Sequence, residues 1–216
     1  MKKVGRTTAL FALLGTLLIA IIALPIANIF FKQFAFDLAG FLSAAVDPAV
    51  LKAVGLSFFA AFLAVLVTFV FGVPLAYLLA RRNFRGKKIV EGLIDLPMSI
   101  PHVVAGIMLL TVFGLSGLIG GPTSLFLRFE GALPGIVVAM LFVSAPFLIN
   151  SAREGFQSVD PRLEKVARSL GATEWQAFRR VAFPLAFPQI FRGAIMSWAR
   201  AISEFAAVIM LVGFFP

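Results

Sequence analysis

Apolar residues fall in five long runs separated by short polar stretches, near residues 8–30, 54–80, 93–114, 132–151 and 189–212. Each run is long enough to cross a hydrocarbon core of about 30 Å, which takes roughly 20 helical residues. The pattern predicts five membrane-spanning helices in an all-α polytopic bundle, because helices satisfy their own backbone hydrogen bonds inside lipid. The start, Met1-Lys2-Lys3-Val4-Gly5-Arg6, has the charge pattern of a signal peptide, yet the run behind it continues past Pro25 to Phe31. A signal peptide needs only 7–15 apolar residues, so a retained first span is expected.

Composition agrees. Of 216 residues, 61% are hydrophobic and 13% charged, and the mean hydropathy of +1.02 excludes a soluble domain whose surface must face water. The net charge of +9 does not indicate nucleic acid, since the basic residues sit in the gaps between apolar runs and form no aromatic-interleaved patch. Lys2, Lys3 and Arg6 precede the first span. Arg81, Arg82, Arg85, Lys87 and Lys88 follow the second, and Arg153, Arg162, Lys165, Arg168, Arg179, Arg180 and Arg192 lie between the fourth and fifth. The opposite connections hold only Lys32, Lys52 and Arg128. Basic flanks stay in the cytoplasm, so a cytoplasmic amino terminus is expected, with 115–131 outside. With no cysteine, disulfides, thiolate metal sites and thiol nucleophiles are excluded.

The longest polar segment, 152–188, reads as a cytoplasmic loop with its own local structure. Asp160 is a natural N-cap for a short helix with Pro161 at its first position. Leu163, Val166, Ala167 and Leu170 share one face, Glu164 and Arg168 are spaced as an i,i+4 pair, and Gly171 ends the helix. Thr173 and Gln176 have capping-box spacing for a second helix, with Trp175, Phe178 and Val181 on its apolar side and Pro184 just past its end. Periodicity alone leaves two readings open: an amphipath lying on the bilayer, or a docking element.

Lys165-Val166-Ala167, three residues, Gly171, nine residues, then Val181-Ala182-Phe183-Pro184 resembles the EAA-x3-G-x9-I-x-L-P loop of ABC importer permeases. Lys165 stands for the usual glutamate, Val166 for alanine, Val181 for isoleucine and Phe183 for leucine. Two further stretches resemble the oxyanion branch of these permeases. They are Ala80-Arg81-Arg82-Asn83-Phe84-Arg85-Gly86-Lys87-Lys88 leading to Asp95-Leu96-Pro97-Met98-Ser99-Ile100-Pro101, and Ser197-Trp198-Ala199-Arg200-Ala201-Ile202-Ser203-Glu204-Phe205. The second is similar to the R-x-x-G-E-F-G stretch of molybdate, tungstate and sulfate permeases, with Ser203 and Ala206 where glycines are common. The resemblance spans nearly the whole chain. It implies a type I ABC importer permease fold, one transmembrane domain over 1–216 with its coupling loop at 153–188, and at least one further helix after the last run.

It also implies a homodimer, two ATP-binding cassette subunits and an extracytoplasmic oxyanion-binding protein. The implied contacts with the ATPase are Leu163, Glu164, Lys165, Val166, Ala167, Arg168, Leu170, Gly171 and Ala172, with Asp160, Thr173 and Pro184 shaping the loop. The chain lacks a G-x-x-x-x-G-K-[ST] phosphate loop, so ATP and Mg belong on a partner chain.

Arg200 and Glu204 lie inside the predicted fifth span, where a lone charge costs about 2.5–3.5 kcal/mol or more. They are read either as an internal pair or as pathway or gate residues. Pro97 and Pro101 are expected to kink or unwind the third span, for packing or to border a pathway that Ser99 also touches. Asp95 reads as a cap or loop contact, and His102 as a satisfied buried polar residue. Ser99, Thr111, Ser144 and Ser197 are read either as oxyanion contacts or as glue between helices. A secondary transporter would want a coupling carboxylate at mid-membrane, for which Glu204 is the candidate. A membrane enzyme would want a catalytic constellation, and none emerges.

Overall fold

The computed structural model describes residues 5–213. Lys2, Lys3, the Arg6 side chain and the end of the last apolar run, Phe214-Phe215-Pro216, lie outside the described side chains. Among the described residues all regular structure is helical, and packing divides the chain into two units, Met1–Gly55 and Leu56–Pro216.

The first unit holds α1 (Arg6–Phe36), α2 (Leu38–Val46) and the start of α3 (Pro48–Arg81). The first span overruns its apolar stretch because Lys32 and Gln33 are good helix formers; Asp37 stops it by leaving helical geometry and capping α2 through Gly40 N–H at 3.0 Å. Asp47 repeats the device for α3, accepting from Ala49 N–H at 2.7 Å with Pro48 at the first helical position. No described side chain of α1 is buried, and leucine, isoleucine and phenylalanine lie all round it, the surface of a lipid-facing span.

The second unit contains the rest of α3, α4 (Lys87–Ser99), α5 (His102–Phe113), α6 (Gly120–Thr123), α7 (Leu133–Ser158), α8 (Pro161–Ser169), α9 (Glu174–Ala177), a π-helical turn (Phe178–Ala182), α10 (Phe183–Ile202) and α11 (Ala206–Val212). Helix α7 is its axis. One core gathers Ala60, Ala61 and Ala64 of α3 with Ile136, Met140 and Val143 of α7 and Leu211 of α11. The other gathers Val73 and Ala76 with Leu148, Phe156 and Ile190. Small residues let these backbones approach, the usual means of helix association in lipid. A Cβ on Gly193 of α10 would stand 2.5 Å from Ser151 Cβ of α7, and one on Gly106 of α5 would stand 2.6 Å from Met210 Cβ of α11.

Three spans are continuous and two are broken. The span expected at 93–114 begins at Lys87 and bends by 117° between α4 and α5. Pro101 excludes Ile100 from helical geometry, and Ile100 adopts φ −89°, ψ 132°; Pro97 is carried inside α4. The span expected at 189–212 is also corrected. Its helix reaches back to Glu174, stops at Ile202 and resumes at Ala206 after a 60° bend. The loop at 153–188 shrinks accordingly: 153–158 complete α7, and 183–188 open α10. Pro184 does not end the second short helix. The π turn widens the backbone ahead of the proline, Phe183 N–H bonding Phe178 C=O, so the ring clears the preceding turn and the helix continues.

Candidate functional site

Two constellations stand out, one at each end of α10. The first surrounds α8. Asp160 Oδ1 accepts from Arg162 N–H at 2.8 Å, Gly171 takes φ +93°, and Thr173 and Gln176 close a capping box on α9, all as read from local sequence. The side-chain partners differ from expectation. Glu164 does not pair with Arg168; it turns inward and is 8% exposed. Arg81 Nε donates to its Oε1 at 2.6 Å and the Tyr77 hydroxyl to its Oε2 at 2.5 Å.

Arg81 also donates to the carbonyls of Phe156 at 2.7 Å and Val159 at 3.0 Å. One guanidinium thus ties the end of α3 to the end of α7 and to α8, using the planar fork that suits arginine to such a junction. Tyr77 packs edge-on to Phe156 and Phe178, with centroids 5.2 and 4.8 Å away. Phe178 packs onto the bundle, whereas Trp175, read on the same apolar side of the second helix, stays 65% exposed and stacks on it. Sequence reasoning missed Arg81 and Tyr77, although their i,i+4 spacing at the end of a span puts both on one face toward the polar loop.

With Glu164 gripped from behind, the outer side of α8 is open. Leu163, Val166 and Leu170 are 46%, 56% and 83% exposed, Ala167 is half-buried, and Lys165 and Arg168 flank them. A cleft of about 360 Å³ lies beside this row, lined by Ala167, Leu170, Gly171, Ala172, Gln176, Arg180 and Val181. An apolar row on a helix already anchored by its opposite side has no partner within the described residues.

The second constellation sits where both broken spans bend. Arg200 donates to Glu204 Oε2 at 2.9 Å and to Ser203 Oγ at 3.0 Å, and its other contact is His102, 3.0 Å from Nε2. His102 Nδ1 lies 3.4 Å from the same Glu204 oxygen. Glu204 Oε1 accepts from Ala207 N–H at 2.8 Å, and the Ser203 hydroxyl bonds back to Arg200 C=O at 2.8 Å. These side-chain bonds offer the backbone an alternative to the helical ladder and account for the break.

Glu204 is 2% exposed at its side chain and Arg200 20%. His102, expected to be buried, is 49% exposed at its side chain. Pro101 brings His102 to the cluster by setting the α5 entry, while Pro97 is buried within α4 and Ser99 ends that helix exposed. Neither Pro97 nor Ser99 has a polar side-chain contact with the cluster among the described residues.

Polar ties between helices complete the picture. Asp95 is no cap: it lies inside α4, where Asn150 of α7 donates to it at 2.6 Å. Arg153 pairs with Glu91 at 3.1 Å, and Ser197 donates to Ser144 C=O at 2.9 Å, the glue reading of those serines.

A family described as the binding-protein-dependent transport system inner membrane component matches residues 72–215. The molybdate/tungstate transport system permease protein WtpB of Thermococcus kodakarensis is 51% identical over 210 residues, covering 97% of this chain and 79% of that protein. Its counterpart in Pyrococcus abyssi is 48% identical with the same coverage. A sulfate transport system permease protein, CysT of Synechocystis, is 36% identical over 202 residues, 92% of this chain and 70% of that one. The fold is shared with a bacterial ABC transporter that imports the acidic polysaccharide alginate, at a TM-score of 0.74 and 22% identity over 98% of this chain and 79% of that one. Five apolar spans, a capped helix–glycine–helix loop and these likenesses agree: the chain belongs to the inner membrane components of binding-protein-dependent transport systems, the multi-pass permease subunits of ABC importers.

Proposed function

We propose that the chain carries molybdate or tungstate into the cytoplasm as a homodimer about a two-fold axis, with ATP and Mg held on two ATP-binding cassette subunits and the anion delivered by an extracytoplasmic binding protein. The exposed row of Leu163, Val166 and Leu170 carries the docking part of this reading. Its area is costly to leave in water, and the adjoining cleft at Ala172 and Gln176 gives a partner surface something to grip. In this reading Lys165 and Arg168 meet acidic residues of the ATPase. The alternative amphipath on lipid is disfavoured by Glu164, whose anchorage holds α8 to the protein rather than to the bilayer.

The substrate reading is supported by the names of relatives at 48–51% identity. Sulfate is the second reading, supported by the sulfate permease at 36% identity. In the orientation favoured by the fifteen-to-three split of basic residues, the amino terminus and α8 are cytoplasmic. Pro101, Arg200 and Glu204 then lie at the bends of two spans, and a gate there is supported by their shared cluster.

The test is uptake by proteoliposomes holding the permease, the ATPase subunit and the binding protein encoded beside it. Radioactive molybdate should accumulate only with ATP on the ATPase side, and tungstate should compete in small excess while sulfate competes weakly. Equal competition by sulfate would favour the second reading, and ATP-independent uptake would refute an ABC mechanism.

A further inference from the structure

Helix α10 has two unlike exposed faces. Phe187, Phe191 and Ile195, four residues apart, form an apolar row with 44%, 55% and 51% of their surfaces exposed, as lipid requires. A second row, Gln189, Arg192, Met196, Arg200 and Ser203, recurs at spacings of three and four and so shares another face. All but the half-buried Arg200 are exposed. Gln189, Arg192 and Met196 line a cleft of about 260 Å³ with Asn150, Ser151 and Glu154 of α7 and Met98 of α4. Amide, hydroxyl, carboxylate and guanidinium groups along membrane-spanning helices do not face acyl chains; they face protein or water.

We propose that this polar face of α10 lines the anion's path and that Arg192 is its cytoplasmic station, binding a tetrahedral oxo-dianion in passage. The proposal rests on the oxyanion-permease reading above. Among the described residues Arg192 has no carboxylate within ion-pair distance, whereas Arg200 is held by Glu204, Arg81 by Glu164 and Arg153 by Glu91. Its forked donors match the oxygens of a dianion. The Gln189 amide, the Ser151 hydroxyl and the second Asn150 N–H, left over from its bond to Asp95, are further donors on the same cleft.

Glu154 on that lining opposes the anion. A station must bind strongly enough to receive its ion and weakly enough to release it, and a carboxylate on the same cleft supplies the weakness. Arg200 follows eight residues later, about 12 Å along the helix. An anion leaving the cluster at the helix breaks therefore meets a second cation within one short step.

The cysteine-free chain allows a direct test in the reconstituted complex, with partner thiols blocked. Arg192→Cys should lower molybdate uptake about tenfold or more, the scale of one lost charge-assisted hydrogen bond. Modification by a cationic aminoethyl thiosulfonate should restore much of it, and an anionic sulfonatoethyl reagent should not. Gln189→Cys should react readily with a water-soluble reagent, several-fold more slowly during molybdate turnover, and Phe191→Cys should stay inert. Uptake by Arg192→Cys within twofold of the unsubstituted complex, or equal rescue by both reagents, would overturn the station. Equal inertness at 189 and 191 would make the face lipid-exposed and Arg192 a headgroup anchor. If the unsubstituted complex takes up no oxyanion, the transport reading fails instead, while the contrast between positions 189 and 191 still decides whether the face is wet.

Discussion

Removing both members of the Arg81–Glu164 pair should destabilise the α8 end of the bundle by less than the sum of the two single removals. The two side chains are 10% and 11% exposed, so solvent screens them little. Arg81→Gln leaves Glu164 buried with only the Tyr77 hydroxyl and frees the carbonyls of Phe156 and Val159; breaking a buried pair in this way costs about 3–5 kcal/mol. Glu164→Gln keeps acceptors for Arg81 and leaves the guanidinium on its two carbonyls, so a smaller loss of about 1.5–3 kcal/mol is expected, that of a hydrogen bond to a charged group.

In the double variant neither charge is stranded. Its loss should fall short of the sum of the singles by about 1–3 kcal/mol. Equilibrium unfolding in mixed micelles titrated with a denaturing detergent measures all three, and hydrogen exchange over 161–169 reports whether α8 loosens first. Additivity within about 0.5 kcal/mol, or no change in exchange at α8, would refute the view that this pair holds the helix in place.

Other positions give sharper single answers. Gly171→Val should cost about 1–2 kcal/mol or more from its φ of +93° alone, because no atom lies within 4 Å of an added Cβ; a melting temperature equal to that of the parent chain would contradict this. Ala167→Glu on the open face of α8 should leave the fold intact and abolish co-purification of the ATPase subunit, and undiminished pull-down with undiminished transport would argue for a surface amphipath. Single cysteines at Ser116 and Ser158 should label from outside and inside respectively with an impermeant reagent, and the reverse pattern would invert the topology. For Arg200 and Glu204, a double neutral variant that is folded and ATPase-bound yet transport-dead would show that the pair does more than hold its own charges.

The parts of this fold that depend on neighbours in sequence were legible before the structure. Asp160, Thr173 and Gly171 act within one turn of themselves, and the i,i+4 contact of Arg200 with Glu204 is likewise local. Long-range choices were not. Nothing in the spacing of Glu164 and Arg168 shows that a stronger partner stands 83 residues earlier, where Arg81 offers a nearly dry site and two other bonds.

Hydropathy also marks where lipid ends, not where helical hydrogen bonding ends, so α1, α3 and α7 overran their apolar runs. The breaks were half-visible. Pro101 signalled one, but the break at 203–205 depends on Glu204 bonding Ala207 N–H, a competition that an apolar run conceals. Pro184 misled because a π turn is a rare remedy for a proline inside a helix.

These features place both constellations on one mechanical element. From Glu174 to Ile202 the backbone is helical without interruption, 29 residues or about 43 Å at 1.5 Å each. One end is the capped start of α9, joined through Gly171 to α8 and tied by the exposed pair of Arg82 and Glu174 at 2.8 Å, itself worth little. The other end carries Arg200 and stops at the Ser203–Glu204 break. The buried Arg81–Glu164 junction holds α8 to α3 and α7, so under the proposed function a push on α8 does not merely tilt a loose loop. It moves the foot of a rod whose far end holds the charged contacts between the two bent spans. Gly193 of that rod packs closely on Ser151 of α7, where an added methyl has no room. Under the proposed function, a gate at Arg200, Glu204 and His102 stands at the opposite end of this rod from α8, with the π turn at 178–182 between the two.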